Sequence, residues 1–142
     1  MQARLLFRQV GVAHTCHMTL NEPGNPDAMP PYPEIGEDPP VRVGPGAVMV
    51  QTRCPDGGDV ELEIWAGDPG VEAPWESVFD DQLETTSNGF SVGDVSYDFY
   101  IDAPSGRYRV RADTRRDRRS QVQAVRFVFP NNPELSGREV SC

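Results

Sequence analysis

The chain has 142 residues and a formal net charge of −9, from 22 acidic side chains against 13 basic ones that are all arginine. That length supports one hydrophobic core rather than two. With no lysine, Schiff-base chemistry at a side chain is excluded, and the negative balance argues against nucleic acid as a direct partner, since phosphate contacts need basic surface.

Residues 1–20 carry Arg4, Arg8, His14 and His17 between their apolar residues, so neither a signal-peptide core nor a membrane span is expected. Residues 3–13 place Leu5 and Phe7 opposite Arg4 and Arg8, an amphipathic strand. His14, Cys16 and His17 lie within four residues, but their spacing matches no structural zinc site and no third group orients a Cys–His nucleophile; neither a metal nor a catalytic residue is expected here. Cys16, Cys54 and Cys142 form an odd set without disulfide-framework spacing. A Cys16–Cys54 bridge is the alternative to reduced thiols; the reading adopted is reduced thiols in a cytoplasmic protein.

Residues 21–46 hold eight prolines and four glycines. Proline removes a backbone donor and pushes its predecessor towards extended geometry, so a long loop is expected. Residues 41–53 contain the apolar run Ala47-Val48-Met49-Val50 and end at Cys54-Pro55-Asp56-Gly57-Gly58, a hairpin turn by composition. Val60, Leu62 and Ile64 then alternate with Glu61, Glu63 and Trp65. Residues 75–86 alternate poorly, and Asn88-Gly89 is a second hairpin signal. Residues 92–101, 107–114 and 122–129 complete about seven strands. An all-β antiparallel sandwich forming a single domain, residues 1–142, is expected.

Residues 92–101 place Val95, Tyr97, Phe99 and Ile101 on one face, with aspartates on the other. Across Ala103-Pro104-Ser105-Gly106, Tyr108, Val110 and Ala112 point inward and Arg107, Arg109 and Arg111 outward. A four-residue hairpin loop would set Asp102 against Arg107, Tyr100 against Arg109, Asp98 against Arg111 and Asp94 against Arg115. That charge ladder on the solvent face would fix register. It leaves unexplained Arg115, Arg116, Arg118 and Arg119, which crowd the next turn with only Asp117 to offset them.

Charge is segregated. Residues 56–102 contain 13 acidic and no basic side chains, whereas residues 107–126 contain eight arginines and two aspartates. A surface of this kind draws in basic proteins. The candidate partner-binding residues are Trp65 and Trp75, as aromatic anchors, with Glu76, Asp80, Asp81 and Glu84, as acids for arginine forks. The chain has no phosphate-binding glycine loop and no nucleophile elbow, and no cofactor is expected.

From Gly46 onward the order of features resembles the competence protein J family of DNA-entry nuclease inhibitors. The resemblance rests on Ala47-Val48-Met49-Val50, residues 60–65, the acidic stretch reaching Asn88-Gly89, the strand at 95–101, Ala103-Pro104-Ser105-Gly106 and Tyr108-Arg109-Val110-Arg111. It implies an acidic β-sandwich that masks a basic, nucleic-acid-binding enzyme, and with the charge pattern the reading adopted is a non-enzymatic inhibitor or immunity-type protein for a basic nuclease or toxin. The alternative is an accessory assembly module that clasps a neighbour through its proline-rich loop.

Overall fold

Alternation becomes strand where the sequence places it most regularly. Val60, Leu62 and Ile64 point into the molecule, while Glu61, Glu63 and Trp65 stand on the opposite face. The computed structural model describes residues 2–25, 29–31, 38–94 and 98–140. Among these, eleven strands follow in chain order: β1 (Arg4–Gly11), β2 (His17–Asn21), β3 (Val41–Gly44), β4 (Ala47–Gln51), β5 (Val60–Ala66), β6 (Glu76–Thr85), β7 (Gly89–Gly93), β8 (Phe99–Asp102), β9 (Gly106–Arg116), β10 (Val122–Phe129) and β11 (Ser136–Glu139). They form two sheets, ordered β1-β5-β10-β9-β6 and β11-β8-β7-β2-β4-β3. The inward residues of both sheets, including Leu20, Val48, Leu62, Ile64, Phe90, Ile101, Phe127 and Phe129, share one hydrophobic cluster. The expected all-β sandwich is therefore found, with eleven strands rather than about seven.

Pairing is antiparallel except between β5 and β10, which run parallel from Glu61–Ala124 to Ala66–Phe129. Two irregularities explain poor alternation in the sequence. A bulge between Leu5 and Phe7 turns Leu5 out beside Trp65 and sends Phe7 inward against Phe99, ring centres 4.9 Å apart. A second bulge, between Ser77 and Phe79, interrupts β6. An extra residue on one strand inverts the facing of all that follow it.

The turns correct the sequence reading most. The segments at 54–58, 88–89 and 103–106 all reverse the chain, but none closes a hairpin. Each carries it from one sheet to the other: β4 to β5, β6 to β7 and β8 to β9. Proline, glycine and asparagine set local backbone angles, which are silent about sheet membership. Asn88 takes the left-handed conformation at φ 63°. Gly89 serves a different need: a Cβ there would lie 2.3 Å from the Tyr100 hydroxyl.

The β8–β9 ladder expected across 103–106 accordingly does not form. Arg107 and Arg109 of β9 face Glu84 and Gln82 of β6, and Arg111 faces Asp80; Asp102 instead pairs with Arg138 of β11 at 2.5 Å. The principle of an acidic strand against an arginine strand survives with β6 as the acidic partner. The expected loop at 21–46 also changes at both ends. β2 runs to Asn21, and Val41–Gly44 forms an edge strand beside β4. Residues 26–28 and 32–37, the heart of the supposed clasp, lie outside the described residues, as do Val95 and Tyr97.

Cys16 and Cys54 are joined by a disulfide, with Cα atoms 4.4 Å apart. This overturns the expectation of reduced thiols at these two positions. The bridge ties the β1–β2 turn to the β4–β5 crossover, two segments also joined by the bond from the Thr52 amide to the Cys16 carbonyl at 2.8 Å. Sequence spacing did not decide the pairing because the two segments meet through β2 and β4, whose pairing of His17 with Gln51 brings Cys16 beside the end of β4 that leads to Cys54.

Candidate functional site

The outer face of the five-stranded sheet is a layer of paired charges. Its geometry follows from one connection. β5 and β6 belong to the same sheet but are separated by β10 and β9, so residues 67–75 must cross over the outside of those strands. This strap covers side chains that strand periodicity assigns to solvent. Asp113 is fully buried, and Arg111 and Arg126 are 4% and 5% exposed. The Arg111 and Arg126 Nε atoms donate to the Asp113 carboxylate at 3.0 and 2.7 Å. Arg111 also donates to Asp68 of the strap at 2.9 Å, and Arg126 donates to the Gly70 carbonyl. Trp75 closes the end of the strap, its ring 4.4 Å from the Arg126 guanidinium and 5.2 Å from that of Arg115.

Beyond the strap the pairing continues outward. Glu61 accepts from Arg8 at 2.8 Å and from Arg115 at 2.9 Å. Those two arginines hold its carboxyl below the usual range against the opposing effect of burial. Asp80 takes both prongs of Arg109 at 2.9 and 2.8 Å, and that fork lowers its pKa. Glu84 lies 3.7 Å from Arg107.

Each candidate residue can now be placed. Trp65 stands on β5 with its Nε1 donating to Glu63 at 2.8 Å. Trp75 is half-buried over arginines of its own chain. Asp80 and Glu84, read as acids awaiting a partner's arginine, already have arginines in cis. Asp81 faces the other way on the strand, and its carboxylate accepts the Gln82 amide at 2.7 Å. Asp81, Glu76 and the strap's Glu72 are exposed and, among the described residues, have no ion-pair partner. The six residues thus divide. β6, an edge strand, brings Glu76, Asp80, Asp81 and Glu84 into one line, while the two tryptophans sit on the outer face.

Three features escaped sequence reasoning. Asp113 looks like any outward strand aspartate until the strap covers it. Glu22, next to two loop residues, is 3% exposed. It accepts bonds from the Thr86 amide at 2.6 Å, the Thr86 hydroxyl and the Ser87 hydroxyl at 2.9 Å, which lower its pKa to about 2. The third is a cleft of about 250 Å³ at the other end of the sandwich, beside the disulfide, with His14, Met18, Asp94 and Asp98 in its lining.

The disulfide also removes the Cys16 thiolate from any metal or nucleophile role beside His14 and His17. His17 is buried, which lowers its pKa, and its Nδ1 lies 2.8 Å from the Thr15 carbonyl. Among the described residues no helix is long and apolar enough to cross a membrane.

No protein-family profile matches the chain, and no curated protein matches it by sequence. Among solved structures it is similar to ComJ of Bacillus subtilis, described as the inhibitor of the DNA-degrading activity of NucA. The two share 13% sequence identity and superpose with a TM-score of 0.62 over 91% of this chain and 99% of ComJ. The likeness therefore reaches well before Gly46, where the sequence features that resemble the family begin. The chain has the fold of ComJ.

Proposed function

We propose that this protein is a non-enzymatic inhibitor that binds a basic nuclease or toxin and occludes its cleft. The observation that carries the reading is the fold shared with a nuclease inhibitor along nearly the whole chain. Charge specifies the surface. Arg107, Arg109, Arg111 and Arg115 of β9 are paired with acids of their own sheet and the strap, whereas Glu72, Glu76 and Asp81 stay exposed along the strap and the β6 edge. An acidic edge of this kind speeds association with a basic partner and weakens as salt rises. In this reading Glu76 and Asp81 make direct contacts with the partner, Asp80 and Glu84 supply field through their pairs, and Trp75 and Trp65 flank the contact. The cytoplasmic placement expected from reduced thiols loses that support, because disulfides persist in oxidising compartments.

The test starts from a host lysate passed over immobilised protein at low salt and eluted with salt. The recovered protein is purified, and its DNA cleavage is measured with and without one equivalent of this chain. Stoichiometric loss of cleavage is expected, with association slowed about tenfold or more by Glu76→Lys plus Asp81→Lys. Cleavage unaffected by an excess of the protein would overturn the proposal. Inhibition insensitive to the double variant would move the contact off the β6 edge.

A further inference from the structure

Among the described residues the two sheets end in four edge strands, β1 and β6 in one and β11 and β3 in the other. An open edge offers unpaired backbone donors and acceptors to any strand that meets it, so edges are ordinarily kept short or charged. Three of the four follow that rule. β3 and β11 have four residues each, β3 lying between Pro40 and Pro45 and β11 carrying Arg138 and Glu139. β6 has ten residues but carries Glu76, Asp80, Asp81 and Glu84. β1 is the exception. It has eight residues, with no acid and no proline, and its two arginines are engaged within the chain. Arg4 donates to the Pro133 and Leu135 carbonyls, and the Nε of Arg8 donates to Glu61. Leu5 and Val10 stand out from the strand, 44% and 53% exposed. Residues 1–21 hold none of the chain's 22 acidic side chains.

We infer that β1 pairs antiparallel with β1 of a second copy of this chain, joining two five-stranded sheets into one continuous sheet about a two-fold axis. An antiparallel edge presents the same pattern of donors and acceptors to its own two-fold copy, so the contact is self-complementary. Charge selects a second copy as the occupant. Two chains of net charge −9 repel, and the repulsion is least where acids are absent. The acidic β6 lies at the far edge of the same sheet, with β5, β10 and β9 between, so it ends up at the two outer edges of the joined sheet. Beside β1, Glu63 is paired in register with Arg8, yet its carboxylate takes the neutral Trp65 donor and, among the described residues, has no ion-pair partner. Only the Nε of Arg8 is engaged, and its side chain is 53% exposed. Side-by-side β1 strands bring Arg8 of each copy towards Glu63 of the other, the match of an arginine strand to an acidic one that β9 and β6 already make. Leu5, beside Trp65, and Val10 add apolar contact on the same outer face. The proposal stands whether or not the protein inhibits a nuclease, because a basic partner is drawn to β6.

The test is sedimentation equilibrium of the intact, oxidised protein, with amide hydrogen exchange on the same samples. The mass should rise from one chain to two, with a Kd on the order of 10 µM. Between concentrations about tenfold below and tenfold above that Kd, exchange at β1 amides should slow about fourfold, following the loss of monomer, while β3, β6 and β11 amides keep their rates. Leu5→Glu plus Val10→Glu places acids on the acid-free strand at two exposed positions. It should weaken the dimer about tenfold or more and leave the circular dichroism spectrum unchanged. A single-chain mass throughout the concentration range would overturn the inference. So would a dimer that protects β3, β6 or β11 instead of β1, or one indifferent to the two glutamates; the exchange comparison needs no variant.

Discussion

Arg126 is held between Trp75, whose ring lies 4.4 Å from its guanidinium, and Asp113, which accepts its Nε proton at 2.7 Å. The tryptophan comes from the strap and the aspartate from the neighbouring strand, so one cation fastens a crossover to the sheet it crosses. Trp75→Ala should lower stability by about 1–2 kcal/mol, the range for a partly desolvated cation–π contact. Urea unfolding followed by circular dichroism gives the value. A loss within error of zero would mean that the strap is held by Asp68 and Gly70 alone.

Asp113 is the more severe test. Its removal leaves Arg111 and Arg126 buried without their shared counter-charge. Breaking a buried pair from one side costs about 3–5 kcal/mol, so Asp113→Ala should fall in that range. The triple replacement of Asp113, Arg111 and Arg126 by apolar residues of similar volume should cost much less. A single variant that unfolds at the wild-type urea midpoint would show the cluster to be hydrated.

Glu22 fastens the β6–β7 crossover through the Thr86 amide and the hydroxyls of Thr86 and Ser87. Its folded-state pKa of about 2 lies below the ordinary value of 4.5. The stabilisation it provides is therefore complete above pH 4.5 and is lost as pH falls towards 2. Glu22→Gln should cost about 2 kcal/mol at pH 7, in the range of hydrogen bonds to a charged group, and less at pH 3. Urea midpoints of both proteins at the two pH values decide it; a gap that widens in acid would refute the assignment.

The Cys16–Cys54 bridge closes a loop of 38 residues. In the chain-entropy account a loop of this size contributes about 4 kcal/mol by restricting the unfolded chain. Denatured, unreduced protein should present a single thiol to Ellman's reagent, that of Cys142, and Cys16→Ser should unfold at markedly lower urea. A count of three thiols would exclude the bridge.

Sequence showed the strands through period two, as in Val60, Leu62 and Ile64 or Phe99 and Ile101, because facing is a local property. It could not show which strands are neighbours. Arg109 was legible as an outward arginine facing an acidic strand, but its partner is Asp80, 29 residues upstream, rather than Tyr100 across the nearest turn. The candidate site suffered the same way. Asp80 and Asp81 look equivalent as a sequence pair, and only the sheet shows that one is occupied and the other exposed. Asp113 and the cleft were invisible for a related reason. Each depends on where a distant segment lies: the strap over the sheet in one case, residues 94 and 98 beside the β1–β2 turn in the other.

The parallel pairing of β5 with β10 bears on how the protein is made. β10 is the middle strand of its sheet yet, among the described residues, the tenth of eleven strands to be synthesised. Until Val122–Phe129 leaves the ribosome, β1 with β5 and β6 with β9 can exist only as two separate ribbons. Their facing edges, including that of the amphipathic strand Val60–Ala66, stay open to pairing with other chains during that interval. A nascent chain arrested before Val122 should therefore need a chaperone that the finished protein does not.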